Sequence, residues 1–272
     1  MFNKLKIMYQ QQMQIGSRKK DIFHTIRYSK IDAWLCPLNW LSEQVKKKTR
    51  VKPGIVHIVP FGIALEDFRE DSITKTEARY KLGIPETALI IGVIGRLDPQ
   101  KGQHFLIKCI YHLQKNHGDI HLLIVGESTK NEGDIYMNEL RNLIKGCNLE
   151  EKIHLRPFLE RPAIFYKAID IFALASLSET CGTVIIEAMA SGVPIIATNT
   201  GGTPELLEQG KLGFLYSPEN QEEFLSQISF LLNNAGVAKE KAEKAREKAE
   251  KQFSNNYQCE KIEHIITKLL KH

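Results

Sequence analysis

Ser178-Glu179-Thr180-Cys181-Gly182-Thr183-Val184-Ile185-Ile186-Glu187-Ala188-Met189-Ala190-Ser191-Gly192-Val193-Pro194 brackets a helix start with two carboxylates, Glu179 and Glu187, with seven residues between them. The apolar run Ile169-Asp170-Ile171-Phe172-Ala173-Leu174-Ala175 before it reads as a buried strand. Val184, Ile185, Ala188 and Met189 after it recur at helical spacing. Glu179 therefore belongs to the strand-to-helix loop. The backbone N–H groups of Cys181, Gly182 and Thr183 are expected to face an anion, because the opening turn of a helix holds no internal partners for them. Glu187 lies about a turn further on, and a helical rise separates the carboxylates by up to ~12 Å. One anionic ligand with hydroxyls at both ends, as a nucleotide sugar has, would touch all three features.

Outward from this stretch, strand-like runs at 88–94, 120–125, 153–157, 169–175 and 194–198 alternate with helical segments. That alternation predicts an α/β chain with a parallel, doubly wound sheet. Ligands on such sheets bind beyond the carboxyl ends of the strands. The candidate loops all fall there: Gly95 to Gly102, Gly126-Glu127, Ser176 to Gly182, and Asn199 to Gly202. Towards the N-terminus the pattern predicts a helix over Asp21 to Tyr28 and a short strand over Ile31 to Cys36. A helix starting at Asn39 or Ser42 and ending near Lys47 follows. Lys46 to Gly54 reads as a linker, after which Ile55 to Gly62 begins the larger unit. Lys239 to Lys251 carries Glu240/Lys244 and Glu247/Lys251 pairs at i,i+4 and reads as a solvated helix. Tyr257, Ile262, Ile265, Ile266, Leu269 and Leu270 then make an apolar stripe on a final helix.

The Ser178 to Pro194 segment resembles the donor-binding signature of the group-one retaining glycosyltransferases of the two-domain B fold. Gly95-Arg96-Leu97-Asp98-Pro99-Gln100-Lys101-Gly102 is similar to that family's diphosphate loop. Thr198-Asn199-Thr200-Gly201-Gly202-Thr203-Pro204-Glu205 is similar to its later glycine-rich loop, and Gly213-Phe214-Leu215-Tyr216-Ser217-Pro218 to the strand and turn that follow. The resemblance runs from about Lys20 onward. It implies a remnant of the acceptor-side domain with its linker over 1–50, a Rossmann-like donor-binding domain over 51–252, and a crossover helix over 253–272.

By the same resemblance, Arg96 and Lys101 contact the donor diphosphate, Glu187 the ribose and Glu179 the transferred sugar. Gly95, Gly126, Phe158, Leu159, Cys181, Gly182 and Thr183 complete the implied donor site, with the base read near Phe158. The chemistry fits these residue types. A departing diphosphate gathers negative charge that fixed cations and N–H donors stabilise, and carboxylates offer acceptors only, which suits hydroxyls. Cys181 stands where the family usually has an aromatic residue, Ala175 where a proline is frequent, and Glu160 where a glycine is common.

The 272 residues are 43% hydrophobic, enough for a full core, and the net charge of +5 names no nucleic-acid or membrane partner. Five cysteines without a C-x-x-C pair argue against a zinc site or disulfide framework and fit a reduced cytoplasm. Residues 1–20 hold five basic and no acidic residues, but Gln10-Gln11-Gln12 breaks any signal-like apolar run. An interfacial amphipathic helix there, bringing the protein to the inner face of a membrane, is the weaker alternative. Gly92-Val93-Ile94-Gly95 is not a dinucleotide fingerprint, and Lys101 is not set as in a P-loop. His112, His117 and His121 are expected near an exposed helix end, and neither a metal nor a cofactor is expected.

The leading expectation is a glycosyltransferase of the hexosyltransferase class, present as its donor-binding half, that acts on a saccharide or lipid-linked saccharide. A separately encoded N-terminal domain is a further expected partner. The alternative is a non-catalytic nucleotide-sugar-binding module or one half of a split enzyme. A sugar phosphorylase of similar fold would need a lysine-bound cofactor or a phosphate pocket, and no motif supplies either.

Overall fold

The structure is a computed structural model that describes residues 5–69, 73–115, 118–128 and 134–271. Near the N-terminus, β1 (Met8–Gln10), β2 (Ala33–Cys36) and β3 (Val56–Ile58) form a small parallel sheet in that order, with α1 (Ile22–Tyr28) and α2 (Asn39–Lys48) as the crossovers. One face of this sheet packs Trp34 and Cys36 against Leu41 and Val45 of α2.

Two features here depart from the sequence reading. Val56 pairs with Trp34, so this strand completes the small sheet instead of opening the larger unit. Met8–Gln10 is a strand and not part of an interfacial helix. Its backbone is fixed on both sides, by Asp32 Oδ2 accepting from the Ile7 N–H at 2.8 Å and by Leu35 O accepting from the Gln11 N–H at 2.8 Å.

The larger unit continues through α3 (Leu65–Arg69), α4 (Lys75–Leu82), β4 (Leu89–Ile94), α5 (Gln103–Leu113), β5 (Ile120–Val125), α6 (Ile135–Gly146) and β6 (Ile153–Arg156). It returns through α7 (Ala163–Ala168), β7 (Ile171–Leu174), α8 (Thr183–Ala190), β8 (Ile195–Thr198), α9 (Thr203–Leu206) and β9 (Phe214–Tyr216). The six strands are parallel in the order β6-β5-β4-β7-β8-β9. Ile90, Leu123 and Val125 enter one core cluster, and Ile91, Val93, Leu122 and Ile124 enter the other. Both faces are thus covered, which is why the strands read as unbroken apolar runs. The chain winds outward from β4 to β6 and then restarts at β7, so a topological switch point falls between β4 and β7, where open parallel sheets bind ligands.

α10 (Gln221–Asn233), α11 (Ala235–Gln252) and α12 (Asn255–Leu270) close the chain. The expected pairs on α11 form, Lys244 to Glu240 at 2.5 Å and Lys251 to Glu247 at 3.6 Å. The helix is not merely solvated: Ala238, Ala242, Ala245 and Ala249 make a buried stripe, and Ala245 and Ala249 join the same core cluster as α8. At its end the chain returns to the small sheet. The Ile63 N–H donates to Phe253 O at 2.9 Å and the Gly62 N–H to Gln258 Oε1 at 3.0 Å. Ile262, Ile265 and Leu269 then cover Met8, Ala33, Leu35 and Val59.

Among the histidines, His112 is exposed as expected and His117 lies outside the described residues. His121 is buried on β5, against expectation, because the strand there runs beside β6. Its Nδ1 lies 2.9 Å from His154 Nε2 and its Nε2 2.9 Å from Asp119 Oδ1. No described helix is long and apolar enough to cross a membrane.

Candidate functional site

Two loops meet at the switch point. After β4, Asp98 folds its loop by accepting from the Gln100 N–H at 2.8 Å and also holds Arg96 at 2.8 Å. The resulting 3-10 turn, Pro99–Lys101, ends at Gly102. It carries Lys101 across to the loop after β7, where Lys101 Nζ donates to Glu179 Oε2 at 2.8 Å. Ser176 Oγ donates to the same oxygen at 3.3 Å. Glu179 is 11% exposed and Lys101 31%, so the pair faces a crevice and not open solvent.

The glycine-rich loop after β8 fixes Glu179 from behind. Its amide N–H of Gly202 donates to Glu179 O at 3.0 Å. Gly201 has φ +59°, and a side chain there would put its first carbon 1.6 Å from Glu179 O, so both conformation and space require glycine. The last residue of that loop is engaged elsewhere. Glu205 accepts from the Asn39 N–H at 2.8 Å, Asn39 Nδ2 at 2.9 Å and the Trp40 N–H at 2.7 Å. It thereby caps α2, whose own N-cap residue Leu38 supplies no side-chain acceptor.

Beside the ion pair lies a cavity of about 560 Å³. Gly95, Arg96, Gly126, Phe158, Leu159 and Glu187 line it, together with Glu127, Glu160 and Val184, which the sequence pattern does not assign to the donor, and Pro162, which it does not mark at all. Its floor depends on Gly126: a side chain there would put its first carbon 1.9 Å from Gly95 O, closing the gap between the ends of β4 and β5. The Phe158 ring stands 68% exposed at the rim, and the Phe158 N–H donates to Glu127 Oε1 at 3.3 Å.

α8 begins after Gly182, which offers no side-chain cap; the Ile185 N–H turns back to Gly182 O at 2.9 Å, and the Thr183 and Val184 N–H groups are left to an external acceptor. Thr183 is exposed at that end. One turn on, Glu187 is half-buried and accepts from Tyr166 Oη at 2.9 Å. Burial raises the Glu187 pKa, and the Tyr166 bond partly offsets this. Cys181 packs against the core beside Glu179, and burial, helped by the Glu179 and Glu205 carboxylates, pushes its thiol up to about 12. It is a neutral small hydrophobe there and not a nucleophile.

The structure therefore gathers the expected residues into two adjoining groups. Gly95, Arg96, Gly126, Phe158, Leu159 and Glu187 line the cavity. Lys101 and Glu179 form the crevice pair near the start of α8 at Cys181, Gly182 and Thr183. Two cations, two carboxylates and the open N–H groups at the start of α8, divided between these adjoining groups, suit an elongated polyhydroxylated anion. Among the described residues no three His, Cys, Asp or Glu side chains gather as a metal site requires.

Known proteins share the sequence pattern and the fold of this chain. The family model described as "Glycosyl transferases group 1" matches residues 74–252. The phosphatidylinositol N-acetylglucosaminyltransferase GPI3 subunit of Saccharomyces cerevisiae is 28% identical over 189 residues, 67% of this chain and 39% of that protein. An uncharacterised glycosyltransferase of Haemophilus influenzae is 33% identical over 185 residues, 68% of this chain and 49% of its own. D-inositol 3-phosphate glycosyltransferase of Corynebacterium jeikeium is 30% identical over 182 residues, 65% of this chain and 43% of its own. The chain thus spans less than half the length of these curated relatives.

Two solved structures share the fold. A glycosyltransferase from Rickettsia africae superposes with a TM-score of 0.86 at 22% identity, covering 97% of this chain and 71% of that one. Anabaena HepE, solved with UDP and glucose, superposes at 0.83 with 21% identity over 96% of this chain and 71% of its own. The architecture is that of the two-domain B-fold glycosyltransferases, with the larger sheet as a Rossmann-like domain.

Proposed function

Since the chain belongs to the group-one glycosyltransferases, we propose that its switch-point crevice binds a nucleoside diphosphate sugar and serves transfer of that sugar with retention of configuration. The observation that supports the reading is that Arg96 and Glu187 line one cavity at the switch point while Lys101 and Glu179 form an ion pair across the loops after β4 and β7, near the start of α8. Arg96 and Lys101 face the diphosphate, where leaving-group charge develops, and the first N–H groups of α8 add fixed dipoles. Both interactions strengthen in the transition state and lower the barrier. Glu187 accepts from the ribose hydroxyls and Glu179 from the sugar. Before the donor arrives, Lys101 and Glu179 neutralise each other, so donor binding replaces one ion pair by two ligand contacts. The structure of HepE with UDP and glucose supports a uridine donor as the first to try.

These residues form, in this reading, the donor side of the enzyme, with Arg96 and Glu187 on the cavity and Lys101 and Glu179 beside it. The acceptor is a saccharide or lipid-linked saccharide, and inositol derivatives belong in the screen because two relatives are named for them. A second reading, a nucleotide-sugar-binding module that works with another polypeptide, has the same support. Calorimetric titration of the 272-residue chain with nucleoside diphosphates tests donor binding, and absence of heat with any of them in folded protein overturns it. A radiolabelled-donor assay, with and without a supplied acceptor-side domain, tests the half-enzyme reading. Holding both reactants in near-attack geometry contributes roughly 7–11 kcal/mol, so the chain alone should transfer little sugar. Robust transfer by it alone refutes that reading.

A further inference from the structure

We propose that Gln103 is a positioning residue for the donor site, and that its buried side-chain amide sets the direction in which Arg96 meets the diphosphate. This role rests on the reading that Arg96 contacts the donor diphosphate.

Gln103 opens α5 and is 1% exposed, so its side chain lies inside the protein. Its Nε2 donates to Arg96 O at 2.9 Å, while its Oε1 has no hydrogen-bond partner among the described residues. A buried acceptor left unpaired costs stability, and a methionine of similar length avoids that cost. What the amide supplies and methionine does not is the one bond to Arg96.

The carbonyl of Arg96 and the N–H of Leu97 belong to one peptide unit, planar and trans, so they point in opposite directions. Gln103 holds the carbonyl, and the Leu97 N–H donates to Glu127 O at 2.9 Å. The plane is thus gripped from both sides, by the start of α5 and by the loop after β5. On its other flank Arg96 follows Gly95, which has φ +147° and no side chain to limit rotation. Without the grip, the chain is free to turn at Gly95 and to carry the Arg96 side chain with it. That side chain is 54% exposed, so its aim depends on the backbone beneath it and on its bond to Asp98.

Gln103 also lies two residues after Lys101, and its bond back to Arg96 ties together the two ends of the loop that carries both cations. It is not among the residues that line the donor cavity. It therefore acts through Arg96, whose planar fork, already aimed, gives up less freedom on meeting phosphate oxygens.

The test is calorimetric titration of the 272-residue chain with uridine diphosphate. Gln103→Met and Gln103→Leu keep the bulk and remove the donor, and each should weaken binding about three- to tenfold, the worth of one hydrogen bond. The unfolding temperature should change little, because each variant removes an orphaned acceptor along with the bond. With Arg96→Ala already in place, Gln103→Met should change the affinity by less than roughly twofold, since the amide has no guanidinium left to aim. With Glu187→Ala in place instead, the full loss should persist. In the parent protein, the side-chain amide protons of Gln103, followed by NMR, should exchange slowly with solvent and shift when the diphosphate is added. No binding by the parent overturns the donor reading, and the role of Gln103 falls with it. Three results overturn the positioning role alone: parent binding that neither Gln103 variant weakens, a loss of the same size with and without Arg96, or rapid exchange of the Gln103 amide.

Discussion

Replacing Glu179 by alanine should separate the two ligand contacts that its ion pair with Lys101 now masks. In the free protein Lys101 Nζ donates to Glu179 Oε2 at 2.8 Å, with the side chains 31% and 11% exposed. Removing the carboxylate leaves Lys101 with water within reach, so no buried charge is orphaned. A part-exposed pair of this kind is worth about 0.2–1 kcal/mol. A nucleoside diphosphate no longer has to displace Glu179, and its affinity should rise by a factor between roughly 1.5 and 5. The nucleotide sugar loses a hydrogen bond to a charged acceptor, worth about 1.5–3 kcal/mol, and should bind roughly tenfold or more weakly. Glu187→Ala behaves differently, because ribose is common to both ligands and both should weaken roughly tenfold or more. Calorimetric titration of each variant with a nucleoside diphosphate and its sugar conjugate separates the cases. If Glu179→Ala weakens the free diphosphate as much as Glu187→Ala does, the assignment of the carboxylates is wrong.

Glu205→Ala removes the cap of α2 and should lower stability by about 1–2 kcal/mol, a fall of roughly 2–8 °C in a thermal scan. An unchanged transition temperature would show that Glu205 only accompanies that helix. Tyr166→Phe takes a donor from Glu187, whose pKa burial already raises, so the pKa should climb further. Nucleotide binding should then fail at a higher pH on the acid side than in the parent, and an unshifted pH profile speaks against the link. Burial, with His121, Arg156 and Lys152 alongside, holds His154 at about 4, below its ordinary value of 6.5. Stability from a neutral His154 is complete above about pH 6.5 and is lost as pH falls towards 4. The urea midpoint should drop between pH 7 and 5, and His154→Gln should flatten that slope.

Strands β4, β5, β7 and β8 were readable because each side of the sheet is buried, and continuous apolar runs such as Leu89–Ile94 follow from that. β1 and β3 were not, since three-residue strands carry too little pattern and owe their form to pairing with β2. The alanine stripe of α11 was hidden among Lys and Glu, because alanine beside charges looks like ordinary surface helix until α8 lies on it. At the site, Arg96, Lys101, Glu179 and Glu187 stood out because each follows a strand end or a helix start at a fixed offset. Tyr166 and Glu205 did not. Their partners lie 21 residues away at Glu187 and 166 away at Asn39, and only the tertiary fold joins them. His121 failed for the same reason: the residue that defines its surroundings, His154, belongs to the neighbouring strand.

The return of α12 to the small sheet sets an order of events during synthesis. Gly62 waits for Gln258, 196 residues later, before its N–H finds its partner, and Ile265 comes later still to cover Ala33 and Leu35. At about 5–20 residues per second, that is roughly 10–40 s during which one apolar face of the small sheet has no cover. The larger sheet can complete itself in that interval from residues already translated. The small sheet is therefore finished only after the larger one, and loss of the final turns of α12 should expose an apolar patch on it.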